Sequence, residues 1–340
     1  MWSVIKEIYR LITKQNKFKF KILVILIFLT SIFEIIGLAL ILPFLFLVNN
    51  LNIVYTNEYI NRFYQYLHFD TSMNFLYFIG GMAMLFSFLG MVLSIYTNIK
   101  LTKFSNDLGA DFSIRLLNLY LNNTYETLSS EKFKEKRKKI VTDTAIVANN
   151  IILPSLMIIA KTMLVCILCL GLFLISYEVT FFLFMILFSI YIFIFNISNK
   201  KVKLNNKNIE RIKKEKNLLI LDTLKNISTK EKSEKDIYIK QFFTQVYQLS
   251  KYQSFNNTVA KLPRYLLMFL VLSAVIGVSI YLLHAYQGNM DNIIHKMLFF
   301  IIIGLKLLPQ IQNIFINYLK LKSNIYAFEN IKNDLYKTSA

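Results

Sequence analysis

Four ionisable side chains stand inside otherwise apolar runs of this sequence: Glu34, Lys161, Arg264 and Lys306. A charge at the centre of a bilayer costs about 2.5–3.5 kcal/mol on insertion scales, so each must face protein or water instead of lipid. Two arrangements satisfy them. In the first they pair internally, Glu34 with Lys161 for example, as a structural bridge between helices. In the second the cations line a wet cavity and attract an anionic cargo. Arg264 follows Pro263 and Lys306 precedes Pro309, and neither has a carboxylate near it in the sequence. Such a pair suits phosphate, because a guanidinium offers bidentate contact and an ammonium a point charge.

Other chemistry has no residues to carry it. There is no G-x-x-x-x-G-K-[ST] loop to cradle a phosphate and no Gly-rich dinucleotide turn. His68, His284 and His295 fall in or beside expected outer loops, without the spacing of a metal site. Cys166 and Cys169 form a C-x-x-C inside an apolar helix, where packing explains two small residues better than redox chemistry does. No catalytic residue, metal ligand or cofactor of the chain's own is expected, and the chain does not read as an enzyme.

The elements that hold the four charges are apolar and long. The 340 residues are 55% hydrophobic with a mean hydropathy of +0.47, which excludes an ordinary soluble domain. Apolar runs at about 20–48, from 73 onward, 151–176, 181–197, 262–283 and 293–318 reach or approach the roughly 18 residues that mark a spanning helix. The formal charge of +19 is read as positive-inside anchoring and not as a nucleic-acid footprint, since every basic stretch adjoins a span. The outer loops hold few Lys or Arg. Both termini are therefore expected in the cytoplasm, in a multi-pass protein of the inner (plasma) membrane.

Between the spans, residues 1–18 alternate apolar and basic positions as an amphipathic helix suited to the inner membrane interface. Residues 19–325 form the six-span domain. Within it Glu58 to Phe69 puts Tyr59, Phe63, Tyr66 and Leu67 on one face, which fits either a short external helix on the membrane or an ordered aromatic loop. The second span continues into a cytoplasmic arm over 100–150. The only long hydrophilic run, Asn199 to Asn257, opens with eight cations in 17 residues and carries a Leu/Ile stripe at helical spacing. A helix from Phe181 to Leu221 would be about 60 Å long, twice the hydrocarbon thickness, so 199–257 is expected as a second cytoplasmic arm. Residues 326–340 read as an amphipathic tail.

Six spans with two long helical arms resemble the (type IV) transmembrane domain of ABC exporters. IFEIIGLALILPF (32–44), EYINRFYQYLHF (58–69), VAKLPRYLL (259–267) and LKLLPQIQNIF (305–315) are similar to the bacterial lipid-linked oligosaccharide flippases of protein N-glycosylation. The resemblance implies that the external helix meets the polyprenyl tail of a lipid carrier. It implies that Arg264 and Lys306 meet the pyrophosphate, with Lys at 306 where Arg is usual. Glu34 joins them as a third substrate-site residue. Gly90 stands where a further cation is expected, and Lys161 where the family has an acid.

Two inner turns, with Glu126, Ser129 and Lys132 and with Asp222, Lys225 and Asn226, would seat on an ATP-binding cassette ATPase that brings ATP and Mg. A second copy of the domain would complete the transporter. The family's ATPase follows a segment like Ala327 to Leu335, whereas this sequence stops at Ala340. The expectation is an ATPase supplied in trans, the alternative a shortened chain. The implied function is a permease subunit. A peptide or hydrophobic-compound exporter of the same fold, or an orphan membrane domain without transport activity, are the other readings.

Overall fold

The structure, a computed structural model, describes residues 2–122, 130–175, 181, 185, 204–221, 223, 232–285 and 290–338. At some helical positions, Tyr59, Lys132 and Arg264 among them, it describes the backbone alone. Every element among the described residues is helical. In order they are α1 (Trp2–Leu11), α2 (Lys14–Asn49), α3 (Ile53–Thr56), α4 (Glu58–Tyr66), α5 (Ser72–Asn122) and α6 (Ser130–Lys138). Two π-helical turns, Lys139–Asp143 and Ala148–Ile152, flank α7 (Thr144–Val147) and lead into α8 (Leu153–Ile175). A helix over 204–221 (α9) is followed by α10 (Lys232–Ala285) and α11 (Met290–Lys337). The chain divides into two compact units, Met1–Leu183 with Met268–Ala340, and Phe184–Leu267, the second holding the stretch expected as an arm.

Three described helices are long and apolar enough to cross a membrane: Lys14–Asn49, Ser72–Asn122 and Phe133–Phe173. Only 17% of the most apolar window of α5 is buried inside the protein. Tyr77, Met84, Leu85, Phe88 and Ile95 stand exposed along it. Water would penalise that surface heavily, whereas hydrocarbon accepts it. The chain is a membrane protein. The expected fourth run, 181–197, lies almost wholly outside the described residues. Helical backbone does cover the fifth and sixth runs, in α10 and α11.

Lipid gives helices no hydrophobic reason to associate, so close approach has to come from small residues and interhelical hydrogen bonds. The antiparallel α2–α5 seam is built that way. A Cβ on Gly37 would lie 2.8–3.0 Å from Ser87, including its backbone, and one on Gly80 would meet Phe44 at 2.9 Å. A Cβ on Gly90 would sit 3.2 Å from the backbone of Glu34. Further along, the Thr30 hydroxyl donates to the Leu26 carbonyl at 2.8 Å, so at the 2.7 Å Thr30–Thr97 contact Thr97 is left as the donor. Gly80, Ala83, Ser87, Gly90, Ser94, Thr97 and Leu101 recur every three or four residues, which puts them in one stripe down α5.

Past Lys100 and Lys103 the same stripe of α5 turns large and apolar, and a water-excluding core gathers on it. Leu101, Phe104, Leu108, Phe112 and Leu116 pack with Ile8, Leu11 and Ile12 of the N-terminal segment, with Val147, Ile151 and Ile152, and with Phe328, Ile331 and Leu335 of α11. Of the amphipathic N-terminal segment expected at the membrane interface, Ile8, Leu11 and Ile12 are covered by protein, Tyr9 is part-exposed, and the side chains of residues 1–5 lie outside the described residues. Residues 326–340 are no separate tail, since α11 runs unbroken to Lys337 and places Ala327, Phe328, Ile331 and Leu335 at zero or near-zero exposure. Arg115 ties the corner, donating to the Leu11 carbonyl at 2.9 Å and to Asp111 at 2.7 Å. Lys332 meets Glu7 at 2.8 Å.

The two π turns also have a cause on α5. Their i→i+5 geometry widens the helix and shifts carbonyls off the usual ladder. The hydroxyl of Ser105 donates to the Ala148 carbonyl at 2.6 Å, and that of Ser113 reaches Ile140 O at 3.0 Å and Thr144 Oγ1 at 2.8 Å. Between them Gly109 lets Ala148 approach so closely that a Cβ would lie 2.7 Å from its methyl. Ser105, Gly109 and Ser113, one helical turn apart, are the groove into which the widened helix fits.

Candidate functional site: an ion cluster between apolar helices

The α2–α5 seam sets the rotation of α2, and that rotation turns Glu34 toward α8 and α11. Leu164, Leu168 and Leu172 of α8 pack with Ile303 and Leu307 of α11, and Ile35 and Leu38 of α2 lean on the same cluster. Lys306 lies within this contact. Its Nζ is 3.0 Å from Glu34 Oε2, with the carboxylate side chain 11% exposed and the lysine side chain 34%. The expectation of a Lys306 without a nearby carboxylate is therefore corrected, and so is the pairing example. Glu34 bridges to Lys306 and not to Lys161.

Lys161, on α8, completes the group. It feels the charge of both Glu34 and Lys306, yet forms no ion pair among the described residues. A cavity of about 20 Å³ lies beside it, lined by Glu34, Lys161 and the polar side chains Thr30, Ser31, Ser94, Thr97 and Asn98. That is room for about one water. Two lysines thus share one carboxylate in an apolar surround. One turn beyond Lys306, Gln310 is 8% exposed and its amide oxygen has no partner among the described residues.

Gly90, at the position expected to supply a further cation, does a packing job. Any side chain there would press on the Glu34 backbone. Arg264 lies in α10 with backbone alone described, so its part in the cluster is outside the described residues. Glu126, Ser129, Asp222, Lys225 and Asn226 are also outside them, and Lys132 is described only as a backbone position in α6.

The 58–69 segment is a helix, α4, closed by His68 at a positive φ of 52°. Its inner face is made by residues other than the expected lipid-facing set, Leu67 apart. Ile60, Tyr64 and Leu67 pack on Leu47, Val54, Phe75 and Ile79, and Tyr64 meets the Phe75 ring edge-on at 5.4 Å. Phe63 and Tyr66 stand 57% and 79% exposed. Leu67 thus belongs to the inner set, and Phe63 and Tyr66 remain available to lipid. The Tyr59 side chain is outside the described residues.

A second polar group, missed in the sequence, sits at the basic end of the helices. Asp334 of α11 accepts from Tyr120 at 2.6 Å and from Lys139 at 3.1 Å, and Lys139 also meets Glu135 at 3.3 Å. Burial works against the Asp334 carboxylate, but these two donors hold its pKa below the usual range. Burial and the Asp334 contact together raise the Tyr120 phenol. Nearby, Asn330 donates to Asp143 Oδ2 at 3.1 Å, while Asp143 Oδ1 is buried without a hydrogen-bond partner among the described residues. These residues are spread over more than 200 positions, and no local spacing could have joined them. No family model matches the chain.

Proposed function

We propose that the chain is the permease subunit of an ABC-type exporter that moves an anionic amphiphile, a lipid-linked saccharide by preference, across the inner membrane. The fold is six spans with both termini in the cytoplasm. An ATP-binding cassette ATPase, with its ATP and Mg, drives it, and a second copy of the chain completes the pathway. One observation carries the cargo reading: the Glu34–Lys306–Lys161 cluster, with two lysines to one carboxylate and a small cavity lined in part by hydroxyl and amide groups between apolar helices. A purely structural bridge would need one cation for one carboxylate. The surplus lysine is a cost to stability unless an anion meets it. The anionic headgroup engages Lys306, while the apolar tail stays in lipid beside the exposed Phe63 and Tyr66 of α4.

Support for the rest comes from the resemblance of four segments to the flippases and from helices that run far beyond a bilayer's thickness. The basic, charged ends of α5 and α6 supply one arm and Phe184–Leu267 the other. Lipids that co-purify with the protein test the cargo. Mass spectrometry of extracts is expected to find phosphate- or diphosphate-bearing lipid enriched over the membrane average with the native chain. In Lys306→Ala/Arg264→Ala the enrichment should fall at least fivefold while the protein stays monodisperse. Equal lipid profiles in the two preparations would remove the anionic cargo from the account.

A further inference from the structure

We infer that Glu34 is a built-in competitor for the cargo's anion, and that Lys161 is the partner to which it is released. This rests on the anionic-cargo reading above and adds to it a way of opening and closing the site. In the structure the Lys306 ammonium is already occupied, by Glu34 Oε2 at 3.0 Å. A phosphate can take that ammonium only by displacing the carboxylate. A displaced carboxylate left unpaired in an apolar surround would cost several kcal/mol, which would make the site useless. Lys161 removes that difficulty. It faces Glu34 electrostatically, forms no ion pair among the described residues, and shares with Glu34 the walls of a small polar cavity.

That cavity is where the carboxylate can turn. The Ser94 hydroxyl and the Asn98 amide offer hydrogen bonds along the way, and Gly90 leaves the α5 side of Glu34 without a side chain. The exchange conserves ion pairs. Before, Glu34 neutralises Lys306 and Lys161 waits; after, Glu34 neutralises Lys161 and the cargo anion neutralises Lys306. Neutral amphiphiles gain nothing at the site, because they cannot displace a carboxylate. The arrangement therefore selects for anions and keeps the empty site from filling with any weakly polar lipid. The shared chemistry is a phosphate group, whether on a lipid or free.

Binding of two probes to the purified full chain in neutral detergent tests this: inorganic pyrophosphate, and dioctanoyl phosphatidic acid with dioctanoylglycerol as its uncharged control. Lys306→Gln is expected to abolish binding of the phosphate probes. Glu34→Gln should tighten it about tenfold by removing the competitor, and Lys161→Gln should weaken it severalfold by stranding Glu34. In Glu34→Gln/Lys161→Gln the loss should disappear, because no carboxylate is then left to strand. If Glu34→Gln does not fold, Glu34→Asp, with a shorter reach to Lys306, should give an intermediate gain. Binding in the lipid arm alone identifies a headgroup, and binding in both arms identifies phosphate itself; either supports the exchange if the variants follow this order. Lys306-dependent binding that Glu34→Gln leaves unchanged or weakens would overturn the exchange and leave the anion site standing. Absence of Lys306-dependent binding in every variant would overturn the site and the exchange together.

Discussion

At the scale of single residues, two kinds of atom decide the outcome: a missing Cβ and a buried carboxylate. Gly37 faces Ser87 with the serine's Oγ and backbone N at 2.8 and 2.9 Å from where a Cβ would sit, whereas nothing lies within 4 Å of the corresponding point on Gly81. Gly37→Ala should therefore lower the thermal unfolding temperature in detergent, with a cost of about 1–3 kcal/mol for overpacking. Gly81→Ala should be neutral or slightly stabilising, since alanine is the better helix former by about 1 kcal/mol.

Asp143 makes a prediction of opposite sign. Burial pushes its carboxyl up, against the Asn330 hydrogen bond and the charges of Lys138 and Lys139. A pKa raised on folding means that the folded state prefers the protonated form. That contribution is greatest below the ordinary carboxylate value and is lost as pH rises through the raised one. Asp143→Asn should accordingly raise the unfolding temperature at pH 7, with the difference closing below about pH 4. Asp334 behaves conversely. Its pKa is depressed, so its contribution is present above the ordinary carboxylate value and fades as pH falls through the lowered one. Asp334→Asn should lose stability at pH 7 and show a weaker acid dependence than the native chain.

At the scale of elements, hydropathy located what a single stretch can announce and missed what depends on a distant partner. The first and second spans were expected from about residues 20 and 73 and observed as α2 from Lys14 and α5 from Ser72, and the third, expected from about 151, as α8 from Leu153. The amphipathic character of α1 and of the end of α11 was also legible. What covers their apolar faces was not, because Leu11 and Phe328 meet in one core from opposite ends of the chain. Amphipathicity says that a face is buried and leaves open whether lipid or protein buries it. Leu67 of α4 was grouped with the lipid-facing side chains for a related reason. Ile60, Tyr64 and Leu67 make as good a helical stripe as Tyr59, Phe63 and Tyr66, and only the neighbouring Phe75 and Leu47 decide between them. The partner of Glu34 was hidden too, since the choice between Lys161 and Lys306 follows from the α2 rotation that Gly37 and Gly90 impose. If the end of α11 is core, Phe328→Ala should cost about 3–5 kcal/mol and speed proteolysis at α1 as well as at α11. A peripheral tail would leave α1 cleavage unchanged.

At the scale of the whole molecule, an all-helical membrane protein has a charged cluster on its apolar helices and a well-packed core at their basic end. The Tyr120–Asp334–Lys139 contacts join α5, the π turn and α11 there, which fits the proposed drive of these helices from their basic end. The most direct measurement of the proposed function is a mild-detergent purification of this chain from its own cells, with bound proteins identified and assayed for ATP hydrolysis. The account predicts an ATP-binding cassette ATPase, recovered in near-equal amount and hydrolysing ATP in the complex. A folded, monodisperse chain that brings down no ATPase would contradict the permease assignment and leave a membrane domain without a motor.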